Sequence, residues 1–144
     1  MTHFLHKFVK EKNLLSWEEG IKKISGQRMR ERIWVRHYHC YSCPIGCAKI
    51  VKGNGKYGKF YGHYPEYETV GMLGANCLND DLELLAYVNE LCNKFGLDTI
   101  STGSTIAFAM ECYEKGKITK EDTGGLEIKW GDSKAMITLI NQIA

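Results

Sequence analysis

Asn79-Asp80-Asp81-Leu82-Glu83-Leu84-Leu85-Ala86-Tyr87-Val88-Asn89-Glu90-Leu91-Cys92-Asn93-Lys94-Phe95-Gly96-Leu97-Asp98 reads as a complete helix with a start, an apolar stripe and a stop. Asn79 and Asp80 are cap residues, whose side-chain oxygens accept from the free N–H groups of a first turn. Leu82, Leu85 and Val88 recur at helical spacing, and the helix is predicted to run to about Lys94. Gly96 is the stop, because glycine adopts the left-handed conformation that closes helices. Asp98 or Ser101 opens the next helix.

Working outward, Ile106, Phe108, Ala109, Met110 and Tyr113 fill that next helix, and Gly116 ends it. Leu126-Glu127-Ile128-Lys129-Trp130 reads as a short extended piece. Asp132 caps a last helix carrying Met136, Ile137, Leu139 and Ile140, whose apolar face needs a partner surface. On the N-terminal side, Pro65 starts a short helix with Glu66 and Glu68. Thr2 caps a short helix over His3–Lys12, and Ser16-Trp17-Glu18-Glu19 matches a capping box. A helix from Trp17 buries Trp17, Ile21 and Ile24 until Gly26 interrupts it, and Met29, Ile33 and Trp34 continue the helical spacing. Ala48–Lys52 and Lys56–Tyr61 flank Gly53-Asn54-Gly55 and read as a β-hairpin. Its lysines, Lys49, Lys52, Lys56 and Lys59, make either a solvated surface or a docking surface for an acidic partner. The expected fold class is mainly α, a multihelical domain with one small β-hairpin after the cysteine cluster. Residues 1–144 are expected to form a single helical unit.

Bulk properties narrow the function. The 144 residues carry 19 lysines and arginines against 17 acidic residues, a net charge of +2. That balance gives no global reason to expect nucleic-acid binding. No run approaches the roughly 20 apolar residues that span a bilayer. Met1–Lys10 lacks the apolar core of a secretory signal, so the expected location is the cytoplasm, where clustered cysteines serve metal or redox chemistry before disulfides.

Three of the six cysteines fall in Cys40-Tyr41-Ser42-Cys43-Pro44-Ile45-Gly46-Cys47. Three soft sulfur donors at one point favour zinc, copper(I) or an iron–sulfur cluster. Pro44 fixes one backbone dihedral, and Gly46 lets the loop fold tightly. An iron–sulfur cubane leads on this spacing. A zinc tetrahedron completed by His37, His39 or His63 is the competing reading, followed by a redox thiol pair. Cys77, Cys92 and Cys112 have apolar neighbours and read as plain core.

The cluster is followed, in order, by Pro65-Glu66-Tyr67-Glu68-Thr69, Leu73-Gly74-Ala75-Asn76 and Gly96-Leu97-Asp98-Thr99-Ile100-Ser101-Thr102-Gly103. Ala109-Met110-Glu111 and Tyr113-Glu114-Lys115-Gly116 come after. This ordered set strongly resembles the aldehyde ferredoxin oxidoreductase family, the tungsten–pterin enzymes. The similarity runs from about Gly26 to the end. It implies part of the family's helical middle domain, in enzymes that oxidise aldehydes to carboxylic acids and pass electrons to ferredoxin. It implies a 4Fe–4S cluster with Cys40, Cys43 and Cys47 as three of four ligands. It also implies tungsten, less often molybdenum, between two pyranopterins.

By the same resemblance, Glu68 matches the glutamate near the metal, with a role in proton transfer or hydrogen bonding. The family's D-x-x-G-L-D/C pterin pattern reads here Asn93-Lys94-Phe95-Gly96-Leu97-Asp98, so Asn93, Gly96, Leu97, Asp98 and Thr99 are the implied pterin-contacting residues. Asn93 keeps the acceptor oxygen of the family's aspartate and loses its charge. Tyr87 and Glu90 stand where the family has a glutamate–histidine pair, so no additional iron is expected. The β-rich pterin-covering domain and the C-terminal domain with the fourth cysteine do not appear in these 144 residues. The expectation is a segment inactive by itself, partnered by the remaining domains or subunits and by ferredoxin, with exposed apolar faces and a homodimer as their sign in solution. The alternatives are a stand-alone 4Fe–4S electron-transfer protein and a structural zinc module or decayed remnant.

Overall fold

The computed structural model describes residues 17–144. The expected helix at His3–Lys12 and the Ser16 end of the capping box lie outside the described residues. Helix α1 (Trp17–Lys23) and helix α2 (Gly26–Arg32) are separated by Ile24 and Ser25. The Ser25 hydroxyl accepts from the Arg28 N–H at 3.2 Å and donates to the Lys22 carbonyl at 3.0 Å, so it closes one helix and opens the other. Three strands follow: β1 (Trp34–Tyr38), β2 (Ala48–Gly55) and β3 (Gly58–His63). They form an antiparallel sheet in the order β1-β2-β3.

This corrects two readings. The helical spacing through Trp34 stops at Arg32, because Trp34, Arg36, His37 and Tyr38 pair with β2, with a register shift at Val35. The Gly53-Asn54-Gly55 stretch is strand, not turn: Gly53 pairs with Phe60 and Gly55 with Gly58, which leaves Lys56-Tyr57 as the tip. Its glycines answer to neighbours on the sheet face. A Cβ at Gly53 would lie 2.3 Å from the Phe60 ring, and one at Gly55 would lie 2.0 Å from the Glu83 carboxylate. Glycine here lets an aromatic ring and a helix side chain cross the backbone closely.

A compound helical segment comes next. One α-turn, α3 (Tyr67–Thr69), widens into a π-turn over Val70–Gly74 and tightens into a 3₁₀ turn at Ala75–Cys77. Helices α4 (Leu82–Phe95), α5 (Thr99–Glu114) and α6 (Ser133–Ile143) complete the chain. The α4 cap is Asp81, whose carboxylate accepts from the Glu83 and Leu84 N–H groups. Asn79 instead accepts from the Asp81 N–H at 2.9 Å, and Asp80 pairs with Lys23. Residues 126–129, read as a short extended piece, form no regular element and join no sheet.

Helix α4 is the central wall, buried on two sides rather than along one stripe. Leu82 and Ala86 join Met29, Ile33, Val51 and Phe60 against the sheet. Leu84, Leu85, Val88 and Cys92 join Leu73, Ile106, Met110, Met136 and Ile140 on the other side. The α6 face thus finds its partner surface within the chain. The fold is mainly α with a small antiparallel sheet. No helix among the described residues is long and apolar enough to cross a membrane.

Candidate functional site

The paired residues Tyr38 and Ala48 make residues 39–47 the closed loop of the β1–β2 hairpin. All three clustered cysteines sit on it. Cys40 and Cys47 are exposed, Cys43 is half-buried, and none is in a disulfide. The Cys43 N–H donates to the Cys40 carbonyl at 3.0 Å, closing a tight turn with Ser42 at φ 56°. Gly46, at φ 60°, is covered by the His39 ring. His39 Nδ1 lies 3.2 Å from the Cys43 carbonyl, and Lys49 Nζ donates to the Cys47 carbonyl at 2.9 Å. Sequence reading had named His39 as a possible zinc ligand and Lys49 as a hairpin lysine, and missed their contacts with the loop carbonyls. Their signal was the β pattern of Trp34–Tyr38, which makes 39–47 a hairpin loop.

The other cysteines differ in kind. Cys77 and Cys92 are buried. Burial pushes the Cys77 thiol up to about 12. Burial, helped by the Asp98 charge, pushes Cys92 up to about 11. Both thiols stay protonated near neutral pH, and a protonated thiol is a poor metal ligand. Cys112 is half-buried.

The loop's donor set suits an iron–sulfur cluster in part, with three sulfurs carried by one short loop. Among the described residues no three His, Cys, Asp or Glu side chains gather around one point as a single metal ion requires. The histidines of the zinc reading are otherwise engaged: His37 packs edge-on against Trp34, His63 against Tyr38, and His39 over Gly46. A cubane differs in spreading its ligands over separate corners.

Glu68 is exposed on α3. Its chain position is tied to the cysteine loop through the sheet. The Tyr64 N–H donates to the Lys49 carbonyl at 2.8 Å, so residues 64–68 leave the sheet at the end that carries loop 39–47. Glu66 precedes the α3 turn and makes no side-chain cap bond.

The Asn93–Thr99 motif forms the α4–α5 junction. Gly96 is left-handed at φ 69°, with its N–H on the Asn93 carbonyl and the Leu97 N–H on the Cys92 carbonyl. That is the paired closure of a Schellman stop. Leu97 tucks against the helical core. Asp98 caps α5 by accepting from the Ser101 N–H at 2.7 Å, and hydrogen bonds from Ser101 hold its carboxyl below the usual aspartate range. Thr99 Oγ1 lies 2.7 Å from Thr69 Oγ1, which joins this junction to the residue after Glu68. The structure therefore brings Glu68's turn to the motif. Asn93 is exposed at the end of α4.

Residues 6–144 match the family model described as aldehyde ferredoxin oxidoreductase, domains 2 and 3. The chain belongs to the aldehyde ferredoxin oxidoreductase family. It is 42% identical over 121 residues to a tungsten-containing aldehyde ferredoxin oxidoreductase of Thermococcus kodakarensis, covering 83% of this chain and 20% of the relative. It is 43% identical over 121 residues to the Pyrococcus furiosus protein of the same description, with the same coverage. It is also 36% identical over 135 residues to an aliphatic sulfonate oxidoreductase, WOR-like subunit, of P. furiosus, covering 89% of this chain and 21% of that one. The chain spans about a fifth of the length of these curated relatives. An aldehyde ferredoxin oxidoreductase relationship thus covers both the cysteine loop and the α4–α5 junction.

Proposed function

We propose that this chain is the cluster-bearing, partly pterin-contacting segment of a tungsten–pterin aldehyde:ferredoxin oxidoreductase, and that these 144 residues alone do not oxidise aldehydes. The observation that carries the reading is the β-closed loop 39–47, which holds Cys40, Cys43 and Cys47 on one short stretch outside the core. In this reading the three cysteines hold a 4Fe–4S cluster, with the fourth ligand coming from the remaining domains or subunits. When bound, the cluster supplies one-electron transfer between the tungsten (or molybdenum) bis-pyranopterin and ferredoxin.

The chain's own residues have distinct tasks. The loop carries the three sulfurs on a backbone already held at the Cys40, Cys43 and Cys47 carbonyls. Glu68 offers an exposed carboxylate that takes or gives a proton at the substrate side. Asn93 presents an amide and Asp98 a carboxylate toward the pterin, and Gly96 keeps the backbone between them free of a side chain. Leu97 anchors the junction to the core. Phe108, 67% exposed, and Ile100, 44% exposed, lie on the outward side of α5, and Tyr67 is 66% exposed on α3. The remaining domains cover these apolar groups, and a homodimer forms when they are missing. The setting is cytoplasmic.

Anaerobic reconstitution with ferrous iron and sulfide tests this reading. The expected result is about four irons per chain and a reduced-cubane EPR spectrum. Cys43→Ser should abolish both. A chain that takes up no iron, or binds one tight zinc without sulfide, overturns the cluster assignment.

A further inference from the structure

We propose that His39 and Lys49 are positioning residues for the cysteine loop, and that the Lys49 ammonium raises the reduction potential of the cluster held there. The inference rests on the cluster reading above. Its basis is that the backbone carbonyl of every loop cysteine is already engaged. The Cys40 carbonyl accepts from the Cys43 N–H at 3.0 Å. The Cys43 carbonyl faces His39 Nδ1 at 3.2 Å, and the Cys47 carbonyl accepts from Lys49 Nζ at 2.9 Å. A carbonyl can only accept, so Nδ1 carries the ring proton in this contact.

Both clamps come from the stems of the hairpin. His39 is the first residue after β1, and Lys49 lies on β2, where it pairs with His37. The His39 ring also lies over Gly46: a Cβ there would be 2.2 Å from Cε1. Ring and glycine thus fix the second half of the loop, and the Cys40–Cys43 turn fixes the first. An unrestrained loop would lose its backbone freedom on binding a cluster. The clamps take up part of that loss when the chain folds.

Lys49 adds charge to geometry. Reduction adds one electron to a cluster that thiolates already make negative. A cation bonded to a ligand residue's carbonyl favours the reduced state, since net charge and hydrogen bonding set cluster potentials. His39 contributes position without that charge requirement.

The test compares wild type, Lys49→Met, Lys49→Gln, Lys49→Arg and His39→Phe. Each is reconstituted anaerobically with iron and sulfide in the presence of a small thiol. Iron and sulfide per chain, cluster release to a chelator, and EPR-monitored potentiometry are the readouts. Lys49→Met and Lys49→Gln should load but shift the reduced-to-oxidised ratio at fixed potential about three- to tenfold toward oxidised, tenfold being about 59 mV. Lys49→Arg should stay near the wild-type potential. His39→Phe should release its cluster several-fold faster than wild type. Wild-type potentials in both neutral variants, or wild-type release in His39→Phe, overturn the corresponding assignment while the cluster reading stands. A wild-type chain that loads no iron overturns both together.

Discussion

Replacing Gly103 by alanine should destabilise the chain, although glycine in a helix interior is normally the weaker residue. Gly103 lies within α5, where alanine is intrinsically better by about 1 kcal/mol. Its Cα faces the π-turn backbone. An added Cβ would lie 2.7 Å from the Met72 carbonyl carbon, 2.8 Å from its Cβ and 2.9 Å from its oxygen. Two of those atoms are backbone and cannot rotate away. Ordinary contact begins at 3.4 Å, so α5 must move outward by roughly 0.7 Å. That movement pulls on the Thr69–Thr99 contact and loosens Ile106 and Met110, which are almost fully buried. Overpacking of this kind costs about 1–3 kcal/mol, and the rigid backbone places Gly103→Ala toward the upper end. After the propensity gain, a net loss of about 1–2 kcal/mol is expected.

Gly71 supplies the matched control. It lies in the same π-turn, and an added Cβ meets nothing within 4 Å. Gly71→Ala should stabilise by about 0.4–1 kcal/mol through the unfolded chain's lost freedom. Urea unfolding followed by circular dichroism measures both, provided the slope with urea stays constant. If Gly103→Ala matches or exceeds wild-type stability while Gly71→Ala behaves as expected, the close approach of α5 to Met72 is wrong.

Alkylation of the native, metal-free chain should modify Cys40, Cys43 and Cys47 rapidly and leave Cys77 and Cys92 unmodified until denaturant is added, as mass spectrometry will show. Ser42→Gly should stabilise by a few tenths to about 1 kcal/mol, because Ser42 holds a left-handed φ of 56°; thermal melts check the sign. Burial alone would raise the Asp81 carboxyl, but hydrogen bonds from Lys56, Tyr57 and the Leu84 N–H outweigh it and hold it below its ordinary 3.8. A depressed carboxyl stabilises the fold fully above its unfolded value and less as pH falls through the folded one. Stability should therefore drop below about pH 4, and Asp81→Asn should show a shallower drop in denaturation midpoints across that range.

What was legible in the sequence followed from local rules. The α4 stop at Gly96, the Asp98 cap and the Asp132 cap each depend on a few adjacent residues and stand where they were read. The misread stretches depend on partners distant in sequence. Met29-Ile33-Trp34 has helical spacing by itself, and only pairing with β2 makes Trp34–Tyr38 a strand. Gly53-Asn54-Gly55 carries turn chemistry, yet those glycines are used by Phe60 and by Glu83, a residue from another element. Asp81 displaced Asn79 and Asp80 as cap because Asn79 was drawn toward Gly131 and the Asp81 N–H, and Asp80 toward Lys23.

The candidate site divides along the same line. The presence of three thiols at fixed spacing and of an ordered motif set was legible, and the roles proposed for those residues rest on that pattern. Their structural support was not legible. The loop's closure by β1 and β2, the His39 ring over Gly46 and the Lys49 bond to Cys47 all appear only once the hairpin is formed. The Thr69–Thr99 contact is similar: it joins the residue after Glu68 to the last residue of the pterin-type motif, 30 positions apart in sequence. Three local signals, read separately as a metal loop, a short acidic helix and a helix stop, are thereby parts of one framework. The sheet end carries the first and leads into the second, and the paired threonines join the second to the third. A substitution that breaks this framework, such as Gly103→Ala shifting α5, should therefore reach the candidate site without touching any residue proposed to hold a cofactor.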